Sequence, residues 1–324
     1  MVGQVKRRIC TRKLTHYRQL QTLDSCLALF GSRSMQYINA HNLMTNLPVV
    51  QSYFTKRGEP RSNMRIFLQD EHNLVLPGGR GVRPSCPQGV VPSMFGGDEK
   101  YFVRVNKERE FRRADVVLEY NVPNIVNIKS SGKFSGQTCD RIVYCPSIPF
   151  EYSNAGDRSI DVLTNIINTE EPRRARLIEK LHAFQGYRNV QGIYDLPSLR
   201  SLYRSAKIVV NPHQTWHHHS IEEFRILPAL SQGCLIVSED VPLRTHIPYH
   251  EYVIWCRYED IPKIVADTLQ NYDHVLDRMH GPDSGLQPLL QRMLAEFEQS
   301  MDSVIAADAT RSSFSRFLSA IRRR

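Results

Sequence analysis

A doubly wound α/β architecture in two successive units is the fold class that this sequence predicts, and three observations point to it. From residue 160 onward, short apolar runs rich in Val, Ile and Leu alternate with stretches of helical period, the pattern of parallel strands covered on both faces. At 324 residues the chain is roughly twice the size of a typical domain, so two cores are expected. A composition of 41% hydrophobic and 23% charged residues is that of a globular protein and excludes a disordered, collagen-like or fibrous chain.

Taken in order, residues 64–69 (MRIFLQ) and 114–119 (ADVVLE) read as buried strands. Between them, residues 77–97 hold six glycines and four prolines, which predicts a long surface loop, either a lid or an insertion without a role. Residues 141–144 (RIVY) read as a strand and 145–155 as a connector, so the domains are expected at 1–150 and 151–324. Strands follow at 160–163, 207–210, 234–237 and 252–255, with an extended stretch at 189–194. Helices fall at 171–184, 196–204, 221–230 and 261–271. Two further helical stretches, 286–305 and 312–322, close the chain.

The segment richest in chemistry is residues 205–240, SAKIVVNPHQTWHHHSIEEFRILPALSQGCLIVSED. It reads as a buried strand ending at Asn211, a polar and aromatic loop, a helix, a turn at Gly233 and a second buried strand ending in Ser238 and Glu239. In open α/β sheets ligands bind outside the carboxyl ends of the strands, and here two such ends carry Asn, His, Ser and Glu. Helix starts favour anions, and Ser220 is the expected N-cap of a helix whose start faces a diphosphate.

These residues resemble the C-terminal, nucleotide-sugar-binding half of glycosyltransferases of the GT-B fold, in the group 1 or spore-maturation-like clan. The matching segments are SAKIVVNPH (205–213), the helix with Glu223 and Arg225 leading into PALSQG (228–233), and LIVSED; upstream, ADVVLEYNVPNI, RIVYCPSIPFEYSN and SIDVL with PRRARLIEKL also match. The likeness spans residues 114–272. It implies two Rossmann-like domains facing a cleft, a nucleotide-sugar donor as substrate rather than cofactor, a sugar, glycan or glycoconjugate acceptor, and no bound metal. It also implies a terminal helix, 312–322, crossing back onto the first domain.

The donor-binding residues so implied are Asn211, His213, Ser220, Glu222, Glu223, Arg225, Ser238 and Glu239. The chain departs from the family where retaining members carry two glutamates on this helix: those positions here are Ser220 and Pro228. Glu222 or Glu223 would then take the ribose while Arg225 faces a phosphate. Each has a plainer reading: the glutamates as a solvated helix start, Arg225 as an internal ion pair, His213 as a structural loop histidine. His217, His218 and His219 invite a metal, but consecutive loop residues do not point one way as tetrahedral ligands must. In the first half, the strand 64–69 empties into Gln69, Asp70, Glu71 and His72, and Glu71, then His72, are the expected bases for an acceptor hydroxyl.

The net charge of +9 is concentrated at the ends. Residues 1–20 carry six basic side chains and 309–324 carry five, neither with an acid, so residues 21–308 are left at −2. The ends could touch phospholipid as a peripheral contact; no specific nucleic acid is expected, since no stacking or nucleic-acid motif accompanies them. Seven scattered cysteines without a C-x-x-C pair, and no apolar run of membrane or signal type, predict a cytoplasmic, membrane-peripheral protein. The alternatives to a transferase are a non-catalytic GT-B-like binding or scaffold protein and, less favoured, a nucleic-acid-binding protein using the basic termini.

Overall fold

The computed structural model describes residues 47–58, 64–69, 72–83, 85–94, 98–105, 108–193 and 195–321, with side chains for 48–308 of these. Asp70, Glu71, residues 1–20 and the side chains of 309–324 lie outside the described residues. In chain order come helix α1 (Leu47–Arg57), strands β1 (Ile66–Gln69), β2 (Leu74–Val75), β3 (Gln88–Pro92) and β4 (Lys100–Val103), helix α2 (Glu108–Arg113), strand β5 (Val116–Glu119), helices α3 (Val122–Ser130) and α4 (Gly136–Cys139), and strand β6 (Ile142–Tyr144). There follow β7 (Ile160–Thr164), α5 (Pro172–Leu181), β8 (Tyr187–Asn189), α6 (Leu196–Arg204), β9 (Ala206–Asn211), α7 (Glu223–Ser231), β10 (Leu235–Glu239), β11 (Ile254–Cys256), α8 (Ile261–Gln270), α9 (Tyr272–His280) and α10 (Leu286–Ile321).

Two parallel sheets result, as the apolar strand runs predict. The first has the order β1-β5-β6, and alternation splits its residues between two cores. Ile66, Val116, Leu118 and Val143 pack with α1 on one face, while Phe67, Val117 and Ile142 pack with Phe111 and Ile128 on the other. The second sheet has the order β11-β10-β9-β7-β8. Leu163, Val209 and Ile236 face α6, α7 and the start of α10, and Val162, Ile208, Val210, Leu235 and Val237 face α5, α8 and α9. Growth of this sheet reverses between β7 and β9, which makes the gap outside their carboxyl ends the switch point where open α/β sheets take ligands.

Three expectations are corrected. The breaker-rich stretch 77–97 is not wholly loop: β3 lies within it and joins β2 and β4 in an antiparallel sheet, order β2-β4-β3. The sequence hid this strand because its pattern is only half buried and includes Gly89 and Pro92. The two terminal helical stretches are one helix of 36 residues, since residues 306–311 (AADATR) between them include three alanines and neither glycine nor proline. Its return to the first core is made earlier than expected, by Phe297, Met301 and Val304. The third correction is the added helix α9, beyond the expected end at residue 271. The turn at Gly233 stands, with φ +77° and Arg158 Nη2 2.4 Å from where a Cβ would lie, so only glycine fits it.

Candidate functional site

The switch point gathers residues from four elements. Asn211 ends β9 and lies in register with Ser238 of β10; its amide donates to Ser238 Oγ at 3.0 Å. Arg225, from the first turns of α7, reaches back and donates from Nη1 to Asn211 Oδ1 at 2.8 Å. Glu239, ending β10, pairs with Arg173 at the start of α5 and accepts from the His213 backbone N–H at 2.9 Å. Arg173 is fully buried, with Trp216 and Tyr258 rings 4.2 and 3.9 Å from its guanidinium carbon. This cation is held by two π-faces and one carboxylate. The predicted donor residues Asn211, His213, Arg225, Ser238 and Glu239 are therefore brought together, and Trp216, 45% exposed, covers Arg173.

Glu222 is the hub. His72 Nε2 lies 2.7 Å from its Oε1 and Arg225 Nη2 lies 4.0 Å from its Oε2. Burial alone would raise this carboxyl, but the charges of His72, Arg225 and Arg174 and the His72 hydrogen bond carry it well below the usual carboxylate range. Arg174 is pushed the other way for a cation: burial lowers it, and Arg225 and Arg173 add like-charge repulsion. The Nε groups of Arg173, Arg174 and Arg225 are buried without a hydrogen-bond partner among the described residues. His213 is held well below its ordinary value by burial, Arg173 and His72. Arg173, Arg174 and Arg225 thus lie close enough for the other two to repel Arg174 as like charges, and each keeps a buried Nε without a partner among the described residues, an arrangement that favours a counter-anion. The solvated-helix-start reading of Glu222 and Glu223 does not hold, since both lie inside the fold and make specific pairs.

Two donor-site expectations meet a different geometry. Ser220 is not an N-cap: α7 begins at Glu223, and Glu222 takes the cap position without a side-chain cap bond. Proximity in sequence misled here, because a better use of the hydroxyl lies across the molecule. Ser220 Oγ accepts from the backbone N–H of Asn73 and Leu74 at 3.0 and 3.1 Å and lies 2.8 Å from Asn124 Oδ1. Glu223 accepts from the hydroxyls of Tyr144 and Tyr249 and from Ser147 N–H, and burial nevertheless raises its carboxyl well above the usual range.

The histidine triplet ties the two halves. Leu76 N–H donates to His217 O at 2.8 Å and His219 N–H to Leu74 O at 3.0 Å, so the loop after β9 pairs with the edge of β2. His218 Nε2 donates to Arg80 O and its Nδ1 accepts from Thr215; His219 Nε2 donates to Trp216 O and its Nδ1 accepts from Tyr101. Backbone carbonyls only accept, which fixes both tautomers. Burial, with the charge of His72 on one and of His213 on the other, drives each of these rings down to about 3.

Sequence reasoning missed Arg173, Arg174 and Glu119. The arginine pair follows Pro172 at a helix start, and Glu119 ends the apolar run of β5; a charge directly at such an end was the available signal. Glu119 is fully buried, and its Oε1 accepts from Tyr120 N–H and the Asn124 amide.

No protein-family model matches this chain, and no curated protein does. Solved structures match at low identity. One is of accessory secretory protein 1, 2 and 3 in Streptococcus pneumoniae, at 10% identity over 64% of this chain and 48% of that one, TM-score 0.36. TarM matches at 8% identity over 83% and 52%, TM-score 0.36. The GtfA/B complex bound to UDP and GlcNAc matches at 11% identity over 75% and 54%, TM-score 0.25. The chain spans about half the length of these structures. Scores this low carry no argument about activity, ligand or partner.

Proposed function

We propose that the chain is a GT-B-like glycosyltransferase that moves a sugar from a nucleoside-diphosphate donor to a hydroxyl-bearing acceptor. The observation that carries the reading is the cluster of Arg173, Arg174 and Arg225, in which the other two repel Arg174 as like charges and each keeps a buried Nε without a partner among the described residues, with Arg225 on the first turns of α7, whose start has no side-chain cap. Such a cradle suits a diphosphate, whose charge grows as the sugar leaves. Asn211 and Ser238 hold Arg225, and Glu239 and the His213 backbone hold Arg173, so these residues orient the cradle. In this reading guanidiniums and the helix start offset the charge, without a divalent ion.

His72 is the proposed base, with Glu71 the other candidate. Glu222 accepts from His72 Nε2–H, which leaves Nδ1 as the acceptor, and that atom has no partner among the described residues. This is the base-and-orienter arrangement of nucleophile activation. As the acceptor oxygen bonds to the anomeric carbon, its proton passes to Nδ1 and the nucleoside diphosphate leaves with the electron pair of the broken C–O bond.

Calorimetry with UDP, GDP and their sugar conjugates, with and without Mg²⁺, tests the reading. One diphosphate should bind at micromolar level independently of Mg²⁺, and Arg225→Ala should weaken it at least about tenfold, ~1.4 kcal/mol, for a charge-assisted pair. Folded protein that binds none of them is instead the non-catalytic relative.

A further inference from the structure

We propose that the groove between α6 and the connector before β7 is a second ligand site, one that takes a small organic anion, a carboxylate or phosphate ester, carried on an apolar body. A cavity of about 600 Å³ opens there, walled on one side by Phe150, Gly156 and Asp157 of the connector and on the other by α6 from Leu196 to Arg204. Sites for small molecules span about 300–1,000 Å³, so the space suits such a ligand. Gly156 closes one end: a Cβ on it would strike Arg204 O, so the connector lies directly on the last turn of the helix.

The chemistry of the ligand follows from the walls. Arg200 and Arg204 both line the cavity and stand one turn apart on the same face of α6. Each is held through Nε: Arg200 donates to Gln232 Oε1 at 3.2 Å and Arg204 to Ala155 O at 2.9 Å. Those bonds fix the guanidiniums, while their Nη groups have neither a hydrogen-bond partner nor a carboxylate in ion-pair reach among the described residues. Like charges at this spacing repel, and an anion that takes both forks relieves the repulsion. The lining's one acid does not supply that anion, for Asp157 accepts from Ser159 N–H at 3.4 Å and from its Oγ at 3.3 Å. Phe150 and Leu196 carry the core of the second sheet out to the cavity, where Pro197 adjoins them. An inorganic anion would leave that apolar wall wet, and a cation would meet two arginines.

This site is separate from the diphosphate cradle. Arg204 ends α6 just before β9 begins, whereas the cradle lies beyond Asn211, at the far end of that strand, about 16 Å along it. The inference therefore holds whether or not the chain transfers a sugar.

Saturation-transfer NMR on the full chain tests it, with 3-phenylpropionate and phenyl phosphate as probes. At least one should bind, and the two together tell a carboxylate head from a phosphate. The alcohol 3-phenylpropanol and the amine 3-phenylpropylamine, which lack the negative charge, and acetate and methyl phosphate, which lack the body, should bind at least about tenfold more weakly, ~1.4 kcal/mol. Arg200→Gln and Arg204→Gln should each weaken the bound probe by a similar factor. Circular dichroism checks that both variants are folded, and Arg200→Gln, at an exposed position, carries the test if Arg204→Gln is not. Failure of both probes to bind, equal binding of the alcohol or amine, or equal binding by the unmodified chain and Arg200→Gln overturns the site. Acetate or methyl phosphate binding as tightly as its phenyl-bearing counterpart removes the apolar half of the proposal. Excess UDP should leave the probe bound; its displacement would place the probe in the cradle and overturn the second site.

Discussion

At Glu222 one carboxylate serves His72 on one oxygen and Arg225 on the other, so its two possible tasks can be separated. Glu222→Gln keeps the shape but removes the charge that orients the base. Turnover of a nucleotide sugar should fall on the order of 100-fold, the low end for general-base catalysis. Nucleoside-diphosphate affinity should stay equal or tighten, because a negative charge beside the cradle is gone. Steady-state kinetics alongside calorimetry reads both, and full turnover in the variant would remove Glu222 and His72 from the mechanism. Arg173 makes the complementary point: Trp216, Tyr258 and Glu239 hold it completely, so it shapes the cradle rather than following the ligand.

Among the elements, the loop after β9 is a pH-sensitive clasp. His218 and His219 are buried neutral, each held at about 3, so the folded state binds protons less readily than the unfolded chain. Their stabilisation is complete above the ordinary histidine value and is lost as pH falls through the window from 6.5 toward 3. At pH 5 each histidine costs about 2 kcal/mol. Denaturant midpoints at pH 7 and pH 5 should show His219→Gln losing about 2 kcal/mol less than the unmodified chain over that interval. Glu119 and Glu223 run the other way: their raised carboxyls stabilise most at low pH, and that share is lost as pH rises above the usual carboxylate value. The second sheet was legible in the sequence because its strands are continuous apolar runs, and the stretch after β7 carries Leu177, Leu181 and Phe184 at helical spacing. The antiparallel sheet was not, for half of β3 faces solvent and β2 is only two residues long. The site was half legible. Asn211, His213, Ser238 and Glu239 announce themselves as polar ends of apolar strands, whereas the true partner of Ser220 comes from the other half of the chain.

Across the whole molecule, α10 is shared property. Leu286, Leu290 and Met293 complete the second sheet's core, and Phe297, Met301 and Val304 complete the first. Phe297→Ala should cost about 3–5 kcal/mol, the usual loss for a buried phenylalanine, and should lower the stability of both cores together. Urea unfolding followed by tryptophan fluorescence, which reports the second half through Trp216 and Trp255, would reveal this: a midpoint that does not move would mean that the halves unfold independently. Leu294 packs against both cores at once. With a rise of about 1.5 Å per residue, the rod from Leu294 to Ile321 is ~40 Å long, so a tilt of about 10° at that fulcrum swings its tip by ~7 Å. Any tilt of the rod at that fulcrum is thus geared up at its far end, where a small angle becomes a large displacement.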